Sequence, residues 1–298
     1  MLMTLSAPSG PDLAPKLAKT GRSELSRRIM SGIVMAAGAL GLTVAGGWWF
    51  VGLVGAATVL MCWEWSRLTR TPDAAANVAL HGGIDRSLSL HVAVTVAAVV
   101  LVASGHAAVA LAVLAAGAAG LFALSPGRPL SAFGAVYVGF PAFVLVWLRQ
   151  DAEYGLAAVL YLYLAVWVTD IAAYMAGRTL GGPKLAPSIS PGKTWSGLIG
   201  GVASAGLAGA AFSHFIPGGS AWRLGVLAVA LAIAAQLGDL YESLLKRRSG
   251  LKDASGLIPG HGGILDRVDG LIAAIVLAAV VVLLPHVNSP ARGLVRGL

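Results

Sequence analysis

The stretch IMSGIVMAAGALGLTVAGGWWFVGLVGAATVLMC, residues 29–62, contains no charged side chain. At about 1.5 Å per residue, one helix of that length would far exceed a hydrocarbon core of roughly 30 Å. Gly46-Gly47 followed by Trp48-Trp49 divides it, because glycine permits a tight turn and tryptophan favours the membrane interface. The reading is therefore two short spans, 29–45 and 48–62. Seven further apolar segments follow at 88–104, 106–124, 130–148, 154–176, 195–216, 222–245 and 268–285. The expected fold class is all-α, a polytopic integral membrane protein with about nine transmembrane helices.

Composition agrees. The 298 residues are 57% hydrophobic and only 11% charged, with a mean hydropathy of +0.80, far from a soluble domain. The single cysteine, Cys62, excludes an intramolecular disulfide and, without partners at ligand spacing, a structural zinc site. Residues 1–28 are polar and rich in Pro, Ser, Lys and Arg, which reads as a flexible tail and not as a secretory signal. The expected organisation is that tail, an N-terminal transmembrane region at 29–150, a C-terminal catalytic transmembrane region at 151–285 with polar loops at 178–194 and 246–267, and a short tail at 286–298.

In a soluble protein the net charge of +8 would suggest nucleic acid. Here it follows the membrane topology. With nine spans, the tail and the even-numbered loops hold all of the 21 Lys and Arg residues except Arg149, Arg223, Arg292 and Arg296. Positive-inside bias then puts the N-terminus in the cytoplasm. Both polar loops face the same side, where nucleotides and Mg²⁺ are found, and nucleic acid is not an expected partner.

Acids at membrane depth sharpen the reading. Asp170 lies inside the 154–176 segment, and Asp239 and Glu242 lie in the last two turns of 222–245. Such groups cost about 2.5–3.5 kcal/mol each on insertion scales and usually face a cavity, a partner or an ion. Asp239, Glu242, Ser243 and Lys246 share one helical face. A structural ion pair would satisfy one such acid. With Asp253, Asp266 and Asp269 close behind, the repulsion among carboxylates asks for a cation, and hard oxygen donors point to Mg²⁺.

Residues 243–269, SLLKRRSGLKDASGLIPGHGGILDRVD, also hold Lys246, Arg247, Arg248, Lys252 and Arg267. These could form an anionic-lipid belt, the preferred reading for Arg248 alone, but cations interleaved with acids and glycines suit phosphate binding better. Gly260, Gly262 and Gly263 would let backbone approach a phosphate, and His261 is open as a ligand, an acid/base or a structural imidazole. The other polar stretch, residues 170–197 (DIAAYMAGRTLGGPKLAPSISPGKTWSG), carries Arg178, Lys184, Ser190, Lys193 and Thr194 among helix-breaking glycines and prolines. Its GKT is not a P-loop, because the required glycine is Pro187 and no strand is expected before it.

Ser243-Leu-Leu-Lys246-Arg247, Lys252-Asp253, Pro259-Gly-His261-Gly262-Gly263 and Asp266-Arg267-Val-Asp269 together resemble the signature of phosphatidate cytidylyltransferases, the CDP-diacylglycerol synthases. Asp170, Ala173-Tyr174, Gly177-Arg178 and Ser190-Pro-Gly-Lys193-Thr194-Trp195 resemble that family as well. Ser196 departs from it, since Glu or Gln is common there, and no essential role is assigned to that position. The N-terminal half is similar only in hydropathy.

The resemblance implies cytidylyl transfer from CTP to phosphatidic acid, giving CDP-diacylglycerol and pyrophosphate in phospholipid biosynthesis at the cell inner (plasma) membrane. It implies a Mg²⁺ centre with Asp239 and Asp266 as ligands, and leaves a second metal open. Lys246, Arg247, Lys252, Asp253, Arg267 and Asp269 are the expected catalytic residues. Lys184, Ser190, Lys193, Thr194, His261, Gly262 and Gly263 are expected to bind substrate. A homodimer is compatible with the family and with the Gly/Ala-rich spans. Two alternatives from the residues stay open: an ion-coupled transporter using the intramembrane acids, and a paralogue acting on another lipid phosphate. A CDP-alcohol phosphotransferase is disfavoured, because Asp269-Gly270 is followed by LIAA and not by the motif of that class.

Overall fold

The computed structural model describes residues 14–69, 86–124, 129–258, 262–283 and 289–296. The chain is almost wholly helical: α1 (Ala14–Ala45), α2 (Gly47–Thr69), α3 (Arg86–Ala103), α4 (Ala107–Leu124), α5 (Pro129–Arg149), α6 (Gly155–Leu180), α7 (Trp195–Phe212), α8 (Ala221–Arg248), α9 (Leu265–Leu283) and the short α10 (Pro290–Val295). Seven of the described helices, α2 to α8, are long and apolar enough to cross a membrane. The two remaining expected spans differ in character. The apolar part of α1, Met30–Ala45, is shorter, and α9 opens with Asp266, Arg267 and Asp269 in its first turns.

The expected break at Gly46-Gly47 is present. Both glycines have positive φ, 66° and 50°, a backbone region that other residues adopt only at a cost. Arg149 closes the turn by donating from Nε to the Thr43 carbonyl at 2.9 Å and from Nη2 to the Val44 carbonyl at 3.2 Å. These are orphan acceptors at the end of α1.

Three boundaries differ from expectation. α1 starts at Ala14, within the stretch read as a tail: Pro15 suits a first helical turn, and the Ala, Lys, Leu, Glu and Arg that follow are good helix formers. α2 runs on to Thr69, beyond the expected end at residue 62. The 178–194 loop is more ordered than expected, since α6 continues to Leu180 and a two-stranded antiparallel hairpin follows, β1 (Lys184–Ala186) and β2 (Ser190–Thr194), with Lys184 opposite Thr194. A strand therefore does lead into α7, although the P-loop spacing still fails. Gly181-Gly182-Pro183 and the prolines at 187 and 191 forbid helix here, so the backbone pairs with itself.

α2 to α5 pack on one another in the N-terminal half, and α6 to α9 pack in succession in the C-terminal half. α5 bridges to α6 and α9. The interior is apolar and joins both halves, with Phe50, Val99, Phe143, Tyr161, Leu224 and Leu231 in one cluster. α8 and α9 approach closely at Gly238, where an added Cβ would lie 2.7 Å from the Asp269 carbonyl. This contact brings Asp239 and Asp269 to the same place.

Candidate active site

α6, the hairpin, the start of α7, α8 and α9 enclose an open cleft with about 710 Å³ of space. Each element presents polar groups for a local reason. α6 contributes Asp170, Tyr174 and Arg178, spaced by four residues along one face. The hairpin contributes Lys184, Ser190 and Lys193, held where Thr194 caps α7 by accepting from the Gly197 N–H at 3.1 Å. α8 contributes Gln236, Asp239 and Lys246, and α9 contributes Asp266, Arg267 and Asp269.

Two lysines, in three ion pairs, organise the floor. Lys193 Nζ lies 2.7 Å from Asp239 Oδ2 and donates to Gln236 Oε1 at 2.9 Å. Gln236 passes the contact on, donating from Nε2 to Asp170 Oδ1 at 3.4 Å. Lys246 stands between Glu242, which is fully buried, and Asp266 Oδ1 at 2.6 Å. The other oxygen of Asp266 accepts the backbone N–H groups of Gly263 at 2.7 Å and Ala254 at 2.9 Å. Glu242 Oε1 has no hydrogen-bond partner among the described residues.

Most of the sequence-predicted residues converge here. Lys184, Ser190, Lys193, Thr194, Asp239, Lys246, Asp253, Asp266, Arg267 and Asp269 all line the cleft. Lys252 is exposed and outside the lining. Arg247 also lies outside it, with Nε donating to the Ile189 carbonyl at 3.4 Å. Gly262 adjoins Asp266, and Gly263 sits against Glu64, not against open space. His261 lies outside the described residues. Ser196 takes part in closing the hairpin: it donates to the Gly181 carbonyl and lies 3.0 Å from Thr194 Oγ1.

Two contributors were not singled out from sequence. Gln236 could have been, since an amide three residues before Asp239 in an apolar run falls on the same helical face. Glu64 could not, because its partners are about 200 positions away.

The lining has a useful electrostatic asymmetry. Lys193 and Lys246 are paired internally, whereas Arg178, Lys184 and Arg267 line the cleft with no acidic partner within ion-pair distance among the described residues. Arg178 instead donates to the Tyr174 hydroxyl at 3.1 Å. These cations suit phosphate oxygens. Asp170, Asp253 and Asp269 are likewise outside the ion pairs. Among the described residues no three metal-ligating side chains converge closely enough to hold an ion alone. Mg²⁺ seldom needs that, as it typically takes one or two carboxylates and completes its shell with phosphate and water. Asp239, with Asp170 and Asp269 in the same cleft, fits that donor set.

A smaller cavity of about 260 Å³ between Gly47, Trp48 and Arg149 has no comparable cluster, and its Arg149 is used on the end of α1.

An open cleft of unpaired guanidinium, ammonium and carboxylate groups in a polytopic helical membrane protein is suited to phosphorylated ligands. The profile of the Cytidylyltransferase family matches residues 26–284. The chain is 42% identical over 257 residues to a phosphatidate cytidylyltransferase of Brucella suis biovar 1 (strain 1330), covering 86% of this chain and 92% of that one. It is 46% identical over 131 residues to a phosphatidate cytidylyltransferase of Haemophilus influenzae (strain ATCC 51907 / DSM 11121 / KW20 / Rd), covering 42% of this chain and 46% of that one. The chain belongs to the cytidylyltransferase family and is a nucleotidyltransferase. The match begins at residue 26, so the likeness also takes in the N-terminal half, where sequence reading found only hydropathy.

Proposed function

We propose that this protein is a phosphatidate cytidylyltransferase, converting CTP and phosphatidic acid to CDP-diacylglycerol and pyrophosphate for phospholipid synthesis. The observation that carries the reading is the meeting of unpaired cations and apolar surface at one site. Beside Asp170 and Gln236, the side chains of Ile171, Met175 and Leu237 are exposed. A lipid phosphate could enter the polar cleft while its acyl chains stay on that apolar surface.

In the reaction an oxygen of the lipid phosphate attacks the α-phosphorus of CTP, and the bond from that phosphorus to the bridging oxygen breaks as pyrophosphate leaves. A phosphate monoester with a second pKa of about 6 is already largely dianionic at neutral pH, so no protein base is needed. The work is positioning and charge neutralisation. Arg178, Lys184 and Arg267 are assigned to phosphate oxygens, and Lys193 to the triphosphate when it leaves Asp239. Lys246 orients Asp266, which in turn holds the loop amides. Mg²⁺, when bound by Asp239 with Asp170 or Asp269, and by Asp266 once Lys246 releases it, would offset triphosphate charge and polarise the α-phosphoryl group.

Positive-inside bias supports nine spans, with α1 and α9 added to the seven, and an N-terminus and cleft on the cytoplasmic side; residence in the inner membrane follows from the assigned role in phospholipid synthesis. A homodimer through the Gly/Ala-rich helices is compatible with this arrangement.

The test is purified full-length protein in detergent with labelled CTP, with and without phosphatidic acid and Mg²⁺. Labelled CDP-diacylglycerol requiring all three is the expected outcome. Folded protein that turns over CTP only with another lipid phosphate would overturn the substrate assignment.

A further inference from the structure

Glu64 lies on α2, in the N-terminal half, between Trp63 and Trp65, and its side chain is completely buried. Both carboxyl oxygens are used on a distant part of the chain. Oε1 accepts from the Ser255 hydroxyl at 2.5 Å and from the Ile264 N–H at 3.0 Å, and Oε2 accepts from the Leu265 N–H at 2.7 Å. Leu265 is the first residue of α9 and Ile264 directly precedes it. Backbone N–H groups in a first helical turn have no intrahelical acceptor, and an acidic group is favoured there by the helix dipole.

The next residue along is Asp266, and Asp269 follows within one turn. Asp266 binds the same loop from the other side, through Ala254 N–H, adjacent to the Ser255 that donates to Glu64. One turn further along α2, the Leu68 carbonyl accepts from the Ser249 hydroxyl at 2.5 Å, where the loop leaves α8. α2 thus grips the loop between α8 and α9 near both its ends. Gly263 completes the fit, since a Cβ there would overlap the Glu64 carboxyl group. The glycine makes room for Glu64.

We infer that Glu64 is a positioning residue of the active site, a carboxylate from the N-terminal half that docks Ser255, Ile264 and the first turn of α9, and so sets where Asp266 and Asp269 stand. It touches no substrate. The inference rests on reading the cleft as the site of cytidylyl transfer.

The experiment compares full-length wild type, Glu64→Gln, Gly263→Ala and the pair Glu64→Asp with Gly263→Ala, in detergent with CTP and phosphatidic acid. Glutamine replaces one acceptor oxygen with a donor that faces N–H or O–H groups. Loss of a charge-assisted hydrogen bond of this kind predicts a kcat lowered about 10- to 100-fold, with the KM for CTP changed less than about threefold. Gly263→Ala should lose activity as well. Shortening the acid by one methylene makes space for the new methyl group, so the pair should be several-fold more active than Gly263→Ala alone.

That rescue keeps the inference testable even if Glu64→Gln folds poorly. Tryptic cleavage after Lys252 gives a readout independent of turnover, expected to accelerate in Glu64→Gln and Gly263→Ala and to slow again in the pair. Wild-type kcat in Glu64→Gln, or a pair no better than Gly263→Ala in activity and cleavage, overturns the inference. Inactive wild type with the cleavage pattern intact overturns the substrate reading and leaves Glu64 as the docking group.

Discussion

Lys193 of the hairpin and Asp239 of α8 meet at 2.7 Å across the cleft. Both side chains retain access to solvent, 16% and 34%. A pair this open contributes little to folding. Its value lies in neutralising the two groups while no triphosphate is present and in leaving the lysine free to change partner.

Replacing Lys193 by Met should therefore damage binding and turnover more than folding. The expected loss in kcat/KM for CTP is about 100-fold, the scale of one charge-assisted phosphate contact. The melting temperature in detergent should stay within about 3 °C. Initial rates at varied CTP, beside a thermal scan, check both. A large fall in melting temperature with unchanged kcat/KM would assign the pair to folding instead.

Lys246 stands in the opposite situation. It is 11% exposed and held between Glu242, with no exposure, and Asp266 at 4%. Sequence reading took it for a phosphate ligand, yet both its neighbours are carboxylates that it must offset. Lys246→Met leaves two buried acids without their cation, and breaking a buried pair by removing one partner costs about 3–5 kcal/mol. The expected result is poorly folded protein, visible as aggregation on gel filtration in detergent. Adding Glu242→Gln should recover much of the monodisperse fraction.

Asp239 and Asp266, the two expected metal ligands, should separate by stability. Among the described residues Asp239 pairs with side chains alone, Lys193 and Ser243. Asp266 holds Lys246 and two loop amides. Asp239→Asn is expected to abolish Mg²⁺-dependent product formation while the melting temperature barely moves. Asp266→Asn should lose activity and also lower the melting temperature, by about 1–3 kcal/mol of stability. Titrating Mg²⁺ against rate in Asp239→Asn is the decisive arm, because near-normal activity there removes Asp239 from the metal.

The helices were legible because hydropathy and membrane length leave few alternatives, and Gly46-Gly47 marked its turn in plain residues. The cleft was legible because charge is rare in this chain, so charged groups in two short stretches had to be brought together for a reason. Partnerships were harder to read. Charge alone does not say whether Lys246 faces a substrate or two buried acids, since both environments demand a cation. Ending the second span at residue 62, at the edge of the uncharged run, also cut away the part of α2 that contains Glu64. That charge is tolerated because the Ile264 and Leu265 N–H groups at the start of α9 and the Ser255 hydroxyl donate to it, and no local pattern announces a contact made across the whole fold.

Gly238 gives the last prediction. On α8 it lies one residue before Asp239, and a Cβ there would sit 2.7 Å from the Asp269 carbonyl and close to Ala273 on α9. The obstructions are the Ala273 Cβ at 2.6 Å and the Asp269 backbone, neither of which can swing aside as a flexible side-chain tip can. Gly238→Ala must then move α8 and α9 apart by a few tenths of an ångström, an overpacking cost of about 1–3 kcal/mol. The same displacement separates Asp239 from Asp269, and misplacement at a reacting centre is felt steeply in rate. The expected outcome is a kcat at least about tenfold lower, with membrane insertion unchanged. Ala273→Gly in the same chain removes one of the two obstructions and should recover part of the rate. Measuring kcat for the single and double variants checks the prediction, and a Gly238→Ala enzyme of normal rate would mean that the two carboxylates need not be held this close.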